Sequence, residues 1–136
     1  MSIIESIRQF LRMYEPLANG RLNIDFLPEE AQAYSVFQEP CESTVGHYIT
    51  GKPKRQCIFV LASKEVHSSE IDQNSVNLEF YDDFAFWMQE QNIAGNFPQL
   101  DRYEVTSIET TSPGYLYVNE INDTTQYRIQ CRMLYE

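Results

Sequence analysis

The first fifteen residues have the apolar periodicity of an amphipathic helix. Ser2 can cap such a helix, with Glu5 three residues later as in a capping box. A proline at position 16 and the Asn-Gly turn that follows it would end the helix. The pattern predicts a helix over residues 2–15, with one apolar stripe formed by Ile3, Ile4, Ile7, Phe10, Leu11 and Tyr14.

A second helix is predicted over residues 75–93, SVNLEFYDDFAFWMQEQNI. Asn74 or Ser75 can cap its start, and Gly95 stands where a left-handed C-terminal glycine is expected. Pro98 prevents the helix from restarting. The apolar stripe of this helix would contain Leu78, Phe80, Tyr81, Phe84, Ala85, Trp87 and Met88.

Alternating or continuous apolar runs predict the β-strands. Apolar and polar residues alternate in residues 127–135, so one set of side chains would be buried and the other, with Arg128 and Arg132, would face away. Residues 55–63 are apolar throughout their centre, which is typical of a strand in the middle of a sheet. Further strands are predicted at residues 22–26, 33–39, 47–50, 104–110 and 115–118, the last of which would form a hairpin with residues 127–135.

This order of elements predicts a single α+β domain over residues 1–136. Most strands would be connected by hairpins, which favours an antiparallel or mixed sheet with both helices packed on one face. A chain of 136 residues with 43% hydrophobic residues is large enough to bury a core.

The net charge and the apolar runs of the chain bear on whether it binds nucleic acid or crosses a membrane. The net charge is −10, which disfavours specific nucleic-acid binding but is compatible with DNA passing nearby without adhering. No apolar run approaches the roughly 18–20 residues of a membrane span, and the N-terminus does not resemble a secretory signal. We therefore expect a cytoplasmic protein, or a component of an assembly built in the cytoplasm.

The cysteines and histidines could in principle be catalytic, but their positions in the sequence favour a structural role. Cys57 and Cys131 lie in strand-like runs and are expected to be buried free thiols, and the three cysteines show no CxxC spacing. A catalytic pair of Cys57 or Cys41 with a histidine, His47 or His67, has no support from the spacing. We therefore expect no catalytic residue, no metal and no cofactor.

Two other candidate sites lie on the second predicted helix. Asp82 and Asp83, with Glu79 one turn earlier, could hold a metal or act as an acid/base pair. Acidic residues in the expected early turns of a helix instead favour its dipole and solvate its outer face, which is the favoured interpretation. The aromatic stripe could stack on a ligand, although core packing against the sheet is the favoured interpretation.

Two groups of basic residues stand out in this acidic chain. Lys52, Lys54 and Arg55 cluster in one predicted turn, and Arg128 and Arg132 share one face of the last predicted strand. Such residues can be ordinary solvated surface, or they can form an interface, because arginine is enriched at protein–protein contacts. Basic patches on an acidic protein can pair with acidic patches on another copy, and head-to-tail contacts of that kind can close into an oligomeric ring.

Three stretches of the chain carry recognisable motifs. They are RQCIFVLASKEV (55–66), LEFYDDFAFWMQEQNIAGNFPQL (78–100) and TSPGYLYVNEINDTTQYRIQCRMLYE (111–136), the last with GYL, an Asp-Thr turn and a Tyr-x-Ile-Gln-Cys-Arg ending. Together they resemble a family of small proteins of tailed phages and prophages of Gram-positive bacteria, often labelled minor capsid protein.

Members of this family are similar to tail terminators, and the resemblance implies a structural role in virion assembly. Terminators of long non-contractile tails are α+β domains that form a six-membered ring, which caps the tail tube and presents a surface to the head. The implied partners are copies of the chain itself, the major tail tube protein and a head-completion protein. The implied location is the head–tail junction of a virion assembled in the host cytoplasm.

No motif of the family assigns the basic residues a role, but in such an oligomeric ring we expect them to form contacts. Arg128 or Arg132 would pair with an acidic residue of a neighbouring subunit or lie at an edge of the oligomeric ring. The turn with Lys52, Lys54 and Arg55 would contact the tube or the head. Three alternatives remain open: a head-completion or adaptor protein, a small cysteine-dependent hydrolase, and a monomeric ligand-binding module.

Overall fold

The computed structural model describes residues 2–18, 22–24, 33–64, 71–119 and 124–136. The helices are α1 (Ile3–Leu11) and α2 (Ile71–Ala94), and a single 3-10 turn covers Glu15–Leu17. The strands are β1 (Leu22–Ile24), β2 (Ala33–Glu39), β3 (Thr44–His47), β4 (Pro53–Lys64), β5 (Val105–Thr110), β6 (Tyr115–Asn119) and β7 (Thr124–Tyr135).

The described strands form one mixed sheet with β4 and β7 at its centre. The order is β1-β2-β4-β7-β5, and every described pairing is antiparallel except that of β1 with β2. β2 and β3 pair with successive parts of the same edge of β4, and β5 and β6 pair with successive parts of the outer edge of β7. This arrangement confirms the α+β class that the sequence predicts.

Both helices pack on the same face of the sheet, as predicted. The face toward the helices carries alternate residues of β4 and β7, among them Phe59 and Ile129. Trp87 of α2 lies against Phe10 of α1, with their ring centroids 5.2 Å apart, so the helices also contact each other. No described helix is long and apolar enough to cross a membrane.

The start of α1 is as predicted, but its end is not. The Ser2 side chain accepts a hydrogen bond from the Glu5 N–H at 3.2 Å, which confirms the cap. The helix stops at Leu11 rather than at residue 15. The chain then turns so that the Tyr14 ring packs against Trp87, with 5.2 Å between ring centroids. Tertiary packing thus outweighs the helical periodicity here.

α2 is longer than predicted at its N-terminal end. It begins at Ile71, so the expected caps Asn74 and Ser75 are wrong, and Asp82 and Asp83 lie near the middle of the helix rather than in an early turn. Its C-terminal end is as predicted, because Gly95 adopts a φ of 75° in the left-handed region.

The strand predictions are confirmed for most of the sheet. β4 lies in the middle of the sheet, as predicted, with β2 and β7 as its neighbours, and β6 and β7 form the predicted hairpin. β3 is the main error, since it covers Thr44–His47 rather than residues 47–50. The predicted strand at 22–26 is described only as Leu22–Ile24, and its last two residues lie outside the described ranges.

Tyr81 fixes α2 to the two central strands. Its hydroxyl donates a hydrogen bond to the Tyr127 carbonyl at 2.8 Å and lies 2.5 Å from the Ser63 hydroxyl. Gly114, which precedes β6, passes so close that a Cβ at this position would lie 2.5 Å from the Tyr81 Cβ. The glycine of the GYL motif is therefore required by close packing.

Candidate interaction surface

The face of the sheet opposite the helices presents the polar side of β7. Tyr127, Ile129, Cys131, Met133 and Tyr135 are buried on the helix side, as the alternation predicts. The intervening residues of β7 are half-buried and lie beside Ile58, Val60 and Ala62 of β4. Both described helices lie on the other side of the sheet, so no described helix covers this face. We call it the open face.

Arg128 lies across the centre of the open face. Its guanidinium carbon is 5.6 Å from the centroid of the Phe37 ring on β2. β4 runs between β2 and β7, so the Arg128 side chain must pass over Val60 and Ala62, both of which are buried. Its aliphatic stem therefore covers apolar surface while its guanidinium donates hydrogen bonds to Gln126 at 3.1 and 3.4 Å.

Arg132 pairs with an acidic residue of its own chain. One of its terminal nitrogens lies 2.6 Å from a carboxylate oxygen of Glu109 on β5, the strand paired with β7. The Nε of Arg132 is buried and has no hydrogen-bond partner in the described structure. A pairing of Arg132 with a neighbouring subunit therefore stays a prediction, and it would have to share or replace the contact with Glu109.

The three basic residues of the predicted turn point to three different partners. Lys52 lies 3.8 Å from a carboxylate oxygen of Glu136, while the Lys54 ammonium lies 4.6 Å from the centroid of the Tyr48 ring. The Arg55 guanidinium carbon lies 5.4 Å from that of Tyr103. Lys54 and Arg55 are consecutive strand residues and face opposite sides of the sheet. The group is therefore divided, not a single patch.

The sequence reasoning missed the tip of the β3–β4 hairpin. Residues 48–51 form the turn, in which the Gly51 N–H donates to the Tyr48 carbonyl at 2.8 Å and Gly51 adopts a φ of 87°. Ile49 projects from this turn and is 108% exposed relative to its reference state. An isoleucine at a polar turn, two residues before a glycine, was the signal in the sequence that could have identified it.

A groove runs between α2 and the outer edge of β5. It has a volume of about 490 Å³ and is lined by Asp82, Ala85, Phe86, Gln89 and Asn92 of α2 and by residues 108–110 of β5. Ile108 is buried at its floor, and its N–H donates a hydrogen bond to the Asn92 side chain at 3.0 Å. Phe86 stands beside this floor with 64% of its surface exposed. Sequence reasoning missed Phe86 because it lies outside the predicted apolar stripe.

The aromatic stripe of α2 packs in the core, as favoured from the sequence. Tyr81 and Phe84 are buried, and Phe80 stacks on Tyr34 of β2 with 5.2 Å between ring centroids. Leu78 was assigned to this stripe wrongly, since it is exposed. Phe84 and Trp87 likewise pack on Tyr14, which follows α1.

The environment of Cys57 does not suit the nucleophile of a cysteine-dependent hydrolase. Cys57 is buried, and burial raises the pKa of its thiol to about 11. Burial likewise raises the pKa of Cys131, whereas Cys41 is exposed. A nucleophilic cysteine needs a lowered pKa and access to substrate, and Cys57 has neither. His67 lies outside the described residues.

This environment predicts that only Cys41 reacts with a thiol reagent in the folded protein. At pH 8 a thiol with a pKa near 11 is ionised in about one molecule in a thousand, and the buried thiols are also shielded from the reagent. We expect one modified thiol per native chain with iodoacetamide, measured by mass spectrometry, and three in denaturant. In Cys41→Ser the native count should fall to zero; rapid labelling of Cys57 would restore the hydrolase hypothesis.

Asp82 and Asp83 are exposed on α2, and among the described residues no group of three or more His, Cys, Asp or Glu is placed to hold a metal ion.

A comparison with protein-family models and a search of curated proteins both find no match to this chain.

Proposed function

We propose that this protein is a structural component of virion assembly, a tail terminator that forms an oligomeric ring on the tail tube and joins it to the head. The proposal rests on the resemblance of residues 55–66, 78–100 and 111–136 described above. The observation in the structure that supports it best is the open face, which presents two arginines, half-buried apolar groups and the carboxylate of Glu109 together.

The open face has the composition of a protein–protein contact. Phe37, Ile58 and Leu134 are half-buried there, and the two arginines lie among them, Arg128 over the Phe37 ring and Arg132 paired with Glu109. Aromatic and arginine side chains are enriched in interfaces because they combine apolar area with directed hydrogen bonds. In the proposed assembly this face contacts a neighbouring subunit or lies at an edge of the oligomeric ring.

Charge reversal at both arginines is expected to abolish ring formation while the subunit stays folded. In Arg128→Glu/Arg132→Glu the face loses both cations and gains two carboxylates, one of them beside Glu109. Repulsion from acidic partner groups should then prevent association. Sedimentation velocity would measure the loss of the oligomer, and circular dichroism would check the fold. Oligomeric rings that survive the double change would contradict the assignment.

Two control variants separate this effect from a loss of stability. Arg128→Met keeps an unbranched stem over Val60 and Ala62 and removes only the charge. Glu109→Arg/Arg132→Glu reverses the ion pair within the chain, so the subunit keeps its attraction between β5 and β7 while a partner meets the opposite charge pattern. We expect both to remain folded and both to weaken association.

Electron microscopy of a lysate from the parent phage with this gene deleted tests the function itself. A terminator predicts tail tubes of excess length without heads, beside filled heads. Tails of normal length beside unjoined or leaking heads would instead indicate the alternative role, a head-completion or adaptor protein. Normal infectious particles would exclude both roles.

A further inference from the structure

Opposite charges are separated between the β3–β4 hairpin and α2. Residues 43–64 contain no Asp or Glu, although the chain has twice as many acidic as basic residues, and they carry Lys52, Lys54, Arg55 and Lys64. α2 contains no Lys or Arg, and it carries Asp72, Glu79, Asp82, Asp83 and Glu90. Each element therefore complements the other in charge.

The hairpin tip presents an apolar side chain on a well-braced turn. The Tyr48 N–H donates to the Lys52 carbonyl at 2.9 Å, and Glu136 receives both the Lys52 ammonium and a hydrogen bond from the Tyr48 hydroxyl, which raises the pKa of Tyr48. Ile49 thus projects from a turn whose base is fixed on both sides. A preorganised tip loses little conformational entropy when it binds.

The groove between α2 and β5 offers the complementary features. Its floor and wall include the apolar Ile108, Ala85 and Phe86, and its helix side carries Asp82. A volume of about 490 Å³ is sufficient for an isoleucine side chain and parts of its neighbours. Phe86, largely exposed in the isolated chain, would be covered by an apolar group seated here.

The tip cannot reach the groove of its own chain. β3 lies along one edge of β4, whereas β5 lies along the far edge of β7, so three strand spacings of about 4.8 Å each separate them. The tip is also fixed to Glu136 on its own side. Two complementary surfaces on opposite sides of a subunit are the requirement for head-to-tail association.

We propose that the hairpin tip of one copy of this chain binds in the α2–β5 groove of the next copy, an inference that rests on the proposed oligomeric ring. Ile49 packs against Phe86 and the groove floor, and the cations at the base of the tip face the carboxylates of α2. The contact is heterologous, so each subunit donates one tip and receives another. The groove shares Glu109 with the open face, but Ile49 and Phe86 belong to the tip and the groove alone, so substitutions at these two residues test this contact.

Two single substitutions and their mixture test this contact. Ile49→Asp places a charge on the tip and prevents it from binding, but leaves the groove unchanged. Phe86→Asp places a charge in the groove and prevents it from receiving a tip, but leaves the tip unchanged. Each variant alone should be monomeric, with a dissociation constant raised about 30-fold or more, as for a central apolar contact. Mixed in equal amounts, they should form a dimer of twice the 16.0 kDa chain mass, and nothing larger, because only one tip and one groove remain functional.

Met13→Asp is the matched control, because Met13 is as exposed as Phe86 but lies outside both surfaces, and it should associate like the parent chain. Native mass spectrometry and sedimentation velocity would measure the three variants, the mixture and the parent chain. Single variants that associate like the parent, a mixture that stays monomeric, or a parent chain that is monomeric would each overturn the inference. The deletion phenotype would still decide the proposed function independently, because overlong tails do not depend on which surfaces meet.

Discussion

Replacing Gly114 by alanine is expected to lower the free energy of unfolding by about 2–3 kcal/mol, near the upper end of the usual cost of overpacking. The new Cβ would lie 2.5 Å from the Cβ and 2.9 Å from the Cγ of Tyr81. These atoms lie next to the backbone of α2 and cannot rotate away, so the helix or the segment before β6 must move. Tyr81 is itself hydrogen-bonded to β7, which restricts that movement.

Gly46→Ala is the control for this substitution. Gly46 lies in β3, where a Cβ would have only the Lys54 Cδ within 4.0 Å, so we expect a change in the free energy of unfolding within about 0.5 kcal/mol. Urea denaturation followed by tryptophan fluorescence would measure both variants, since Trp87 packs on the first helix. If Gly114→Ala lowers the free energy of unfolding no more than Gly46→Ala does, the close approach of Gly114 to Tyr81 is unimportant for stability.

Removing the Tyr81 hydroxyl is expected to cost about 1–3 kcal/mol. In Tyr81→Phe the Tyr127 carbonyl loses a donor at 2.8 Å, and the buried Ser63 hydroxyl loses a neighbour at 2.5 Å. The aromatic ring and its packing remain, so the loss reports the hydrogen bonds rather than a cavity. Unsatisfied polar groups at this depth have no access to water.

The control for the hydroxyl is Tyr115→Phe on β6, where the side chain is exposed to solvent. We expect a change within about 0.5 kcal/mol there. In the variant Tyr81→Phe/Ser63→Ala the second substitution should cost less than it does in the parent chain, because both groups belong to one network. Full additivity of the two losses would show that the hydroxyls act independently.

The sequence predicted the centre of the fold well because the physical signal there is strong. β4 and β7 combine long apolar runs with regular alternation, and burial on the helix face follows directly from that pattern. β3 and the start of α2 were placed wrongly for the opposite reason. Thr44–His47 is short and polar, and its position depends on pairing with Pro53–Arg55 rather than on its own residues.

The sequence predicted which residues lie on the candidate surface, but it did not predict which side chains they contact. Alternation placed Arg128 and Arg132 on one face, yet the contact between Arg132 and Glu109 depends on the register of β5 against β7. Lys54 and Arg55 were grouped as a turn although they belong to a strand and face apart. Phe86 became visible only once its exposure was known, whereas the turn around Ile49 carried a signal in the sequence.

The position of β7 in the sheet also determines when the protein can fold during its synthesis. β7 pairs with β4, β5 and β6, all of which precede it in the chain, and it supplies the only link between β4 and the two strands on its other side in the described sheet. Until residues 124–135 leave the ribosome, one edge of β4 and the edges of β5 and β6 lack their partner strand. The described sheet therefore closes only after β7 is synthesised, and until then these unpaired edges are exposed to aggregation.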